Sequence, residues 1–170
     1  MRAIFLAISV MVAAPAMAEA PDKPDYHPEV LQDCLDGKND YDGRAVCIGA
    51  ASDDCMSTPK GQTTVGMVQC LTLEATDWDN RLNGTYKTLV EEQKAADANL
   101  ASLGSAVKPE RVQRLQQMQR NWVSYRDAAC KFDEAQWDGG SGSGPAVSAC
   151  LMTLTGRQAL YLEQYLKANN

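Results

Sequence analysis

Six cysteines, Cys34, Cys47, Cys55, Cys70, Cys130 and Cys150, are spread through a chain of 170 residues that opens with the marks of an export signal. Together these features predict three disulfides formed in an oxidising compartment. The signal consists of Arg2, an apolar run from Ala3 to Ala14, and a small-x-small cleavage site at Ala16-Met17-Ala18 ahead of Glu19. The run is too short to span a membrane, and no later stretch offers about 20 apolar residues. The expected product after removal of residues 1–18 is therefore soluble, periplasmic or secreted, with no stable membrane insertion.

What remains suits one domain with a modest core that disulfides reinforce. The whole chain has net charge -6, and loss of residues 1–18 with Arg2 makes it -7. Residues 19–60 hold ten acids and four bases, whereas residues 61–170 are near neutral with twelve acids and eleven bases. An acidic segment of this kind is repelled by nucleic acid and by anionic lipid and attracts a basic protein, so nucleic acid is not an expected partner.

An acidic extension, residues 19–54, and a helical body, residues 55–170, are the expected divisions of the mature chain. Residues 20–27, with two prolines and scattered charges, read as a flexible lead-in. A helix is expected from Pro28, with Val30, Leu31, Cys34 and Leu35 on one face and Gly37 ending it. A second short helix is expected over Arg44 to Cys55, with Ala45, Val46, Ile48 and Ala51 inward, and a Cys34–Cys47 bond would pin the two as a small hairpin. From Thr64 the residues Val68, Leu71, Ala75, Trp78, Leu82, Tyr86 and Leu89 recur at spacings of three and four, which predicts a helix to about Leu103 that Gly84 could bend. Past a turn at Gly104 to Pro109 the pattern returns in Val112, Leu115, Met118, Trp122, Tyr125, Ala129 and Phe132. Two such helices on a short connection predict a long antiparallel hairpin. The glycine-rich segment 138–144 is expected to be a loop, after which Pro145 starts a C-terminal helix burying Val147, Leu151, Leu154, Leu162 and Leu166. No stretch alternates with period two, so the predicted fold class is all-α.

Sequential bonds, Cys34–Cys47, Cys55–Cys70 and Cys130–Cys150, would each join neighbouring helical segments without threading the chain. The last would close about twenty residues around the glycine-rich loop and contribute roughly 3 kcal/mol.

The residues exclude several kinds of chemistry. His27, the sole histidine, sits beside Pro28 in the lead-in, where nothing sets its tautomer as a triad requires. The cysteines lack the paired short spacings of a zinc site. The glycine-rich loop has neither a preceding strand nor a following Lys-Ser or Lys-Thr, so no nucleotide or other cofactor is expected. The acid pairs Asp53-Asp54, Glu91-Glu92 and Asp133-Glu134 read as solvated faces, with Glu91 or Glu92 paired to Arg120 across the hairpin, and Asn83-Gly84-Thr85 as an accidental glycosylation sequon. Trp78, Trp122 and Tyr125 lie on apolar stripes and are expected in the core, and Trp137 beside the loop is expected to be partly exposed.

One set of residues carries a resemblance: Cys55, Thr63, Met67, Cys70, Glu74, Trp78-Asp79, Leu82-Asn83 and Tyr86, then Gln119, Trp122, Arg126-Asp127 and Cys130, then Gly139-Gly140-Ser141, Cys150-Leu151, Thr155 and Arg157. The string, over about Cys55 to Leu166, resembles the LprI-type lysozyme-inhibitor family of exported bacterial proteins. The resemblance implies a non-enzymatic, disulfide-bonded helical protein whose partner is a lysozyme, with no catalytic residue. Candidate partner-binding residues are Trp137, Gly139, Gly140, Ser141 and Ser143 at the loop, and Arg126 and Asp127 from the motif. Ion pairs between helices would account for Arg126, Asp127 and Arg157 as well as partner contact does. The alternative function is an envelope interaction protein that binds another periplasmic protein or a cell-wall component. A glycan hydrolase would need two carboxylates placed across a cleft, which no motif here supplies.

Overall fold

The computed structural model describes residues 23–104 and 106–168; the expected signal peptide lies outside them. Among the described residues the chain is all-helical: α1 (Pro28–Asp36), α2 (Tyr41–Ala45), α3 (Ala50–Met56), α4 (Thr64–Ser102), α5 (Arg111–Ala135) and α6 (Ser143–Ala168). None of these helices is long and apolar enough to cross a membrane. The three disulfides join Cys34 to Cys47, Cys55 to Cys70 and Cys130 to Cys150, the sequential set.

Helix α4 is the axis of the molecule. Its stripe of Leu71, Trp78, Leu82 and Leu89 is buried, as the periodicity requires, and it runs unbroken past the exposed Gly84. Its most extensive partner is α6 rather than α5. The two run parallel, with Val68 beside Gly144, Trp78 beside Gly156 and Arg81 bonded to Glu163. A Cβ at Gly156 would lie 3.0 Å from Ile48 and 3.1 Å from Trp78, so this glycine lets α6 approach the centre of the core closely. Helix α5 runs back antiparallel to both, and the hairpin expected of α4 and α5 becomes a three-helix arrangement in which α6 takes the apolar face of α4.

That arrangement corrects the expected core. Tyr125 and Phe132 are 62% and 65% exposed, because α6 meets α5 along the side that carries Met118, Trp122 and Cys130. On α6 the buried face is Met152, Thr155, Gly156, Ala159, Leu160 and Leu162, while the expected Val147, Leu151, Leu154 and Leu166 are only partly buried. The α6 helix also starts two residues before Pro145, because a proline in the first turn removes no needed hydrogen bond.

The N-terminal segment is built into the core. Pro24 is buried, and Tyr26 packs against the core and donates its hydroxyl to Asp77 at 2.5 Å, so the described end of the expected flexible lead-in is held in place. The single helix expected over Arg44 to Cys55 is instead two, broken at Gly49, whose φ of 107° lies where only glycine is unstrained. The break leaves Val46 exposed rather than inward. Arg44 is buried and bonds Glu163 at 2.5 Å; Arg81 bonds the other oxygen of that carboxylate at 2.5 Å, which ties α2 and α4 to α6.

Two acids of α4 complete other helices. The N-cap residue of α3 is Gly49, which has no side-chain oxygen to offer. Glu74, fully buried, supplies both of its own: Oε1 accepts from Gly49 N–H at 2.6 Å and from the Trp78 indole at 3.0 Å, and Oε2 accepts from Ser52 N–H at 2.7 Å. The N-cap residue of α5 is Glu110, whose side chain makes no capping bond, and Asp97 of α4 accepts from the N–H groups of Arg111 and Val112 at 3.1 Å each. In both cases an orphan donor of one helix is satisfied by a carboxylate of another.

Candidate functional site

The glycine-rich segment is a compact turn. Asp138 and Gly139 both take left-handed backbone angles, φ 47° and 77°, and the Trp137 carbonyl accepts from Gly140 N–H at 2.7 Å. The Gly140 carbonyl then accepts from Ser143 N–H at 3.0 Å, which starts α6. A Cβ on Gly142 would fall 2.0 Å from the Trp137 ring, so the indole lies directly on this glycine. The ring packs against the turn yet remains 52% exposed. The Cys130–Cys150 bond closes the loop behind it, and the contact of Gly144 with Val68 sets the turn beside the start of α4.

Of the residues singled out in the sequence, Trp137, Gly139, Gly140, Ser141 and Ser143 thus share one turn. Arg126 and Asp127 lie apart, about 16 Å along the helix from Trp137 at ~1.5 Å per residue. They do not tie helices together: Arg126 donates to Asp127 at 2.8 and 3.0 Å within α5 and lies over the Trp122 ring, 5.0 Å from its centroid. Glu91 pairs with Lys94, and Arg120 bonds Gln117, in place of the bridge expected across the hairpin.

A groove of about 410 Å³ runs between α5 and α6 next to the turn, with Tyr125, Ala129 and Asp133 on one side and Thr153, Leu154 and Arg157 on the other. Arg157 is exposed and forms no hydrogen bond or ion pair among the described residues. Its role as an inter-helix ion pair therefore does not hold, and it stands as a free cation beside an exposed tyrosine. No motif marks the groove in the sequence, although Tyr125, Ala129 and Asp133 recur every four residues and so share one side of α5. Among the described residues no three His, Cys, Asp or Glu side chains group as metal ligands. His27 is exposed beside Glu29, 3.0 Å away, and Asp25, 3.8 Å away.

These features define a disulfide-stapled helical protein with a compact aromatic turn and a groove that carries an unpaired arginine. The family model described as lysozyme inhibitor LprI matches residues 55–162, and the chain belongs to that family. It is 28% identical over 170 residues to an uncharacterized protein of Rhizobium meliloti (strain 1021), covering 99% of this chain and 98% of that protein. It is 22% identical over 167 residues to an uncharacterized 17.7 kDa protein of Rhodobacter capsulatus in the puhA 5' region, covering 98% and 99% of the two chains. No solved structure matches the chain significantly. Membership in an inhibitor family and three disulfides place the protein outside the reducing cytoplasm.

Proposed function

We propose that this protein is a periplasmic or secreted lysozyme inhibitor that acts by protein–protein binding, with the Trp137 turn and the adjacent α5–α6 groove as its contact face. The carrying observation is the seating of Trp137 on Gly142: a large aromatic presented half-exposed by a closed loop gives up little conformational freedom on docking. Tyr125 and the unpaired Arg157 stand in the groove beside it, and tryptophan, tyrosine and arginine are the residues that dominate binding energy at protein interfaces. The acidic N-terminal charge speeds encounter with a basic enzyme.

The test is lysis of peptidoglycan by lysozymes of different classes in the presence of oxidised protein. Inhibition of at least one class is expected, with Trp137→Ala and Arg157→Ala each weakening it by about tenfold or more. Protection against none of the classes would move the function to a non-enzymatic envelope interaction protein. Undiminished inhibition by both variants would move the contact face elsewhere on the molecule.

A further inference from the structure

At the opposite end of the bundle from the Trp137 turn, α4, α5 and α6 line a second, partly open cavity of about 360 Å³, within the range of small-molecule sites. It lies toward the end of α6, where α4 and α5 run on to the turn that joins them. Leu89, Leu115 and Met118 give it an apolar lining. Tyr161 and Tyr165 add two rings edge to face, 5.4 Å apart, with their hydroxyls joined at 2.8 Å.

Among the described residues no carboxylate lines this cavity, although the chain as a whole has net charge -6. Its cations are Arg111 and Arg114. Two acids at this end are already engaged: Asp97 caps α5 through Arg111 and Val112 N–H, and Glu110 is held by Lys108 at 3.0 Å and Arg114 at 2.7 Å. Among the described residues the Arg111 side chain has no hydrogen bond or ion pair. A single unspent guanidinium above an apolar pocket fits a monoanion with a hydrocarbon body better than a polyanion or a cation.

We propose that this cavity binds small amphipathic carboxylates, the hydrocarbon lying among Leu115, Met118 and the Tyr161 ring and the carboxylate on Arg111. The site is separate from the lysozyme contact face and stands or falls independently of it. Three probes of equal length separate the contributions: octanoate, 1-octanol and octylammonium, titrated into the oxidised protein while the Met118 methyl and Tyr161 ring signals are followed by NMR. Octanoate should bind about tenfold or more tightly than the other two, since its carboxylate alone makes a charge-assisted hydrogen bond to the guanidinium. Arg111→Gln should bring octanoate down to the level of octanol and leave octanol unchanged. Arg111 is exposed and its side chain holds nothing else, so the variant should fold, as circular dichroism will report. Equal binding of the three probes, octanoate binding that survives Arg111→Gln, or no saturable shift at these residues at millimolar octanoate would each overturn the proposal.

Discussion

Helices α3 and α5 are capped by the same device, a carboxylate reaching over from α4, but in opposite surroundings. Around α3 the acceptor Glu74 is fully buried, and Leu31, Leu35, Cys47, Ala51 and Cys55 of the N-terminal segment are buried with it. Around α5 the acceptor Asp97 is near solvent, and Cys130 is the one fully buried residue of the helix. A buried acceptor whose donors have no water to fall back on is a structural requirement, while a solvated one is a modest preference. The N-terminal segment is thereby fastened as core, and α5 is carried as a surface helix whose exposed aromatics are free to meet a partner.

Glu74→Ala should have the largest effect on that contrast. It strands three buried donors, and a loss on the order of 3 kcal/mol in denaturant unfolding is expected, with Glu74→Gln costing less because one oxygen remains. A loss within experimental error would mean that water replaces the carboxylate. Next, replacing Cys130 and Cys150 together by serine should cost roughly 3 kcal/mol at most. Hydrogen exchange should quicken in the C-terminal half of α5 and stay slow in α4; equal acceleration in both would show that α5 is part of the core after all. Asp97→Ala should cost about 1 kcal/mol, the usual value of an N-cap, and fray only the first turn of α5.

The smallest effect concerns pH. Burial first, and then the hydrogen bond to Asp77, push the Tyr26 hydroxyl well above the ordinary tyrosine value. The folded state keeps this proton where the unfolded chain releases it, so the contribution is complete below pH about 10 and is lost as pH rises beyond it. Tyr26→Phe should flatten the fall in melting temperature on the alkaline side. An unaltered alkaline profile would show that the Tyr26–Asp77 bond does not hold the N-terminal segment.

Much of this was legible in the residues. The stripe from Leu71 to Leu89 predicted α4 within a residue at its end, because the apolar spacing there has one solution. The sequential bonds followed from the placement of cysteines on neighbouring helices. Glu74 was legible in principle, since it sits three after Leu71 and four before Trp78, inside the buried stripe, where a solvated acid does not belong. What periodicity could not convey was which helix would cover which face: the exposure of Tyr125 and Phe132 depends on α6 arriving from far along the chain. The turn was readable as a loop with an exposed tryptophan, but the seating of that ring on Gly142 is a three-dimensional fact with no spacing signature.

The disulfide order carries one more consequence. Separations of 13, 15 and 20 residues make three loops that neither overlap nor nest. In a chain that emerges from its N-terminus, each thiol at the start of a bond meets its native mate before any later cysteine has appeared. An indiscriminate oxidant that joins consecutive thiols would therefore produce the native set directly, and maturation would need a source of oxidising equivalents but no enzyme to reshuffle wrong pairs.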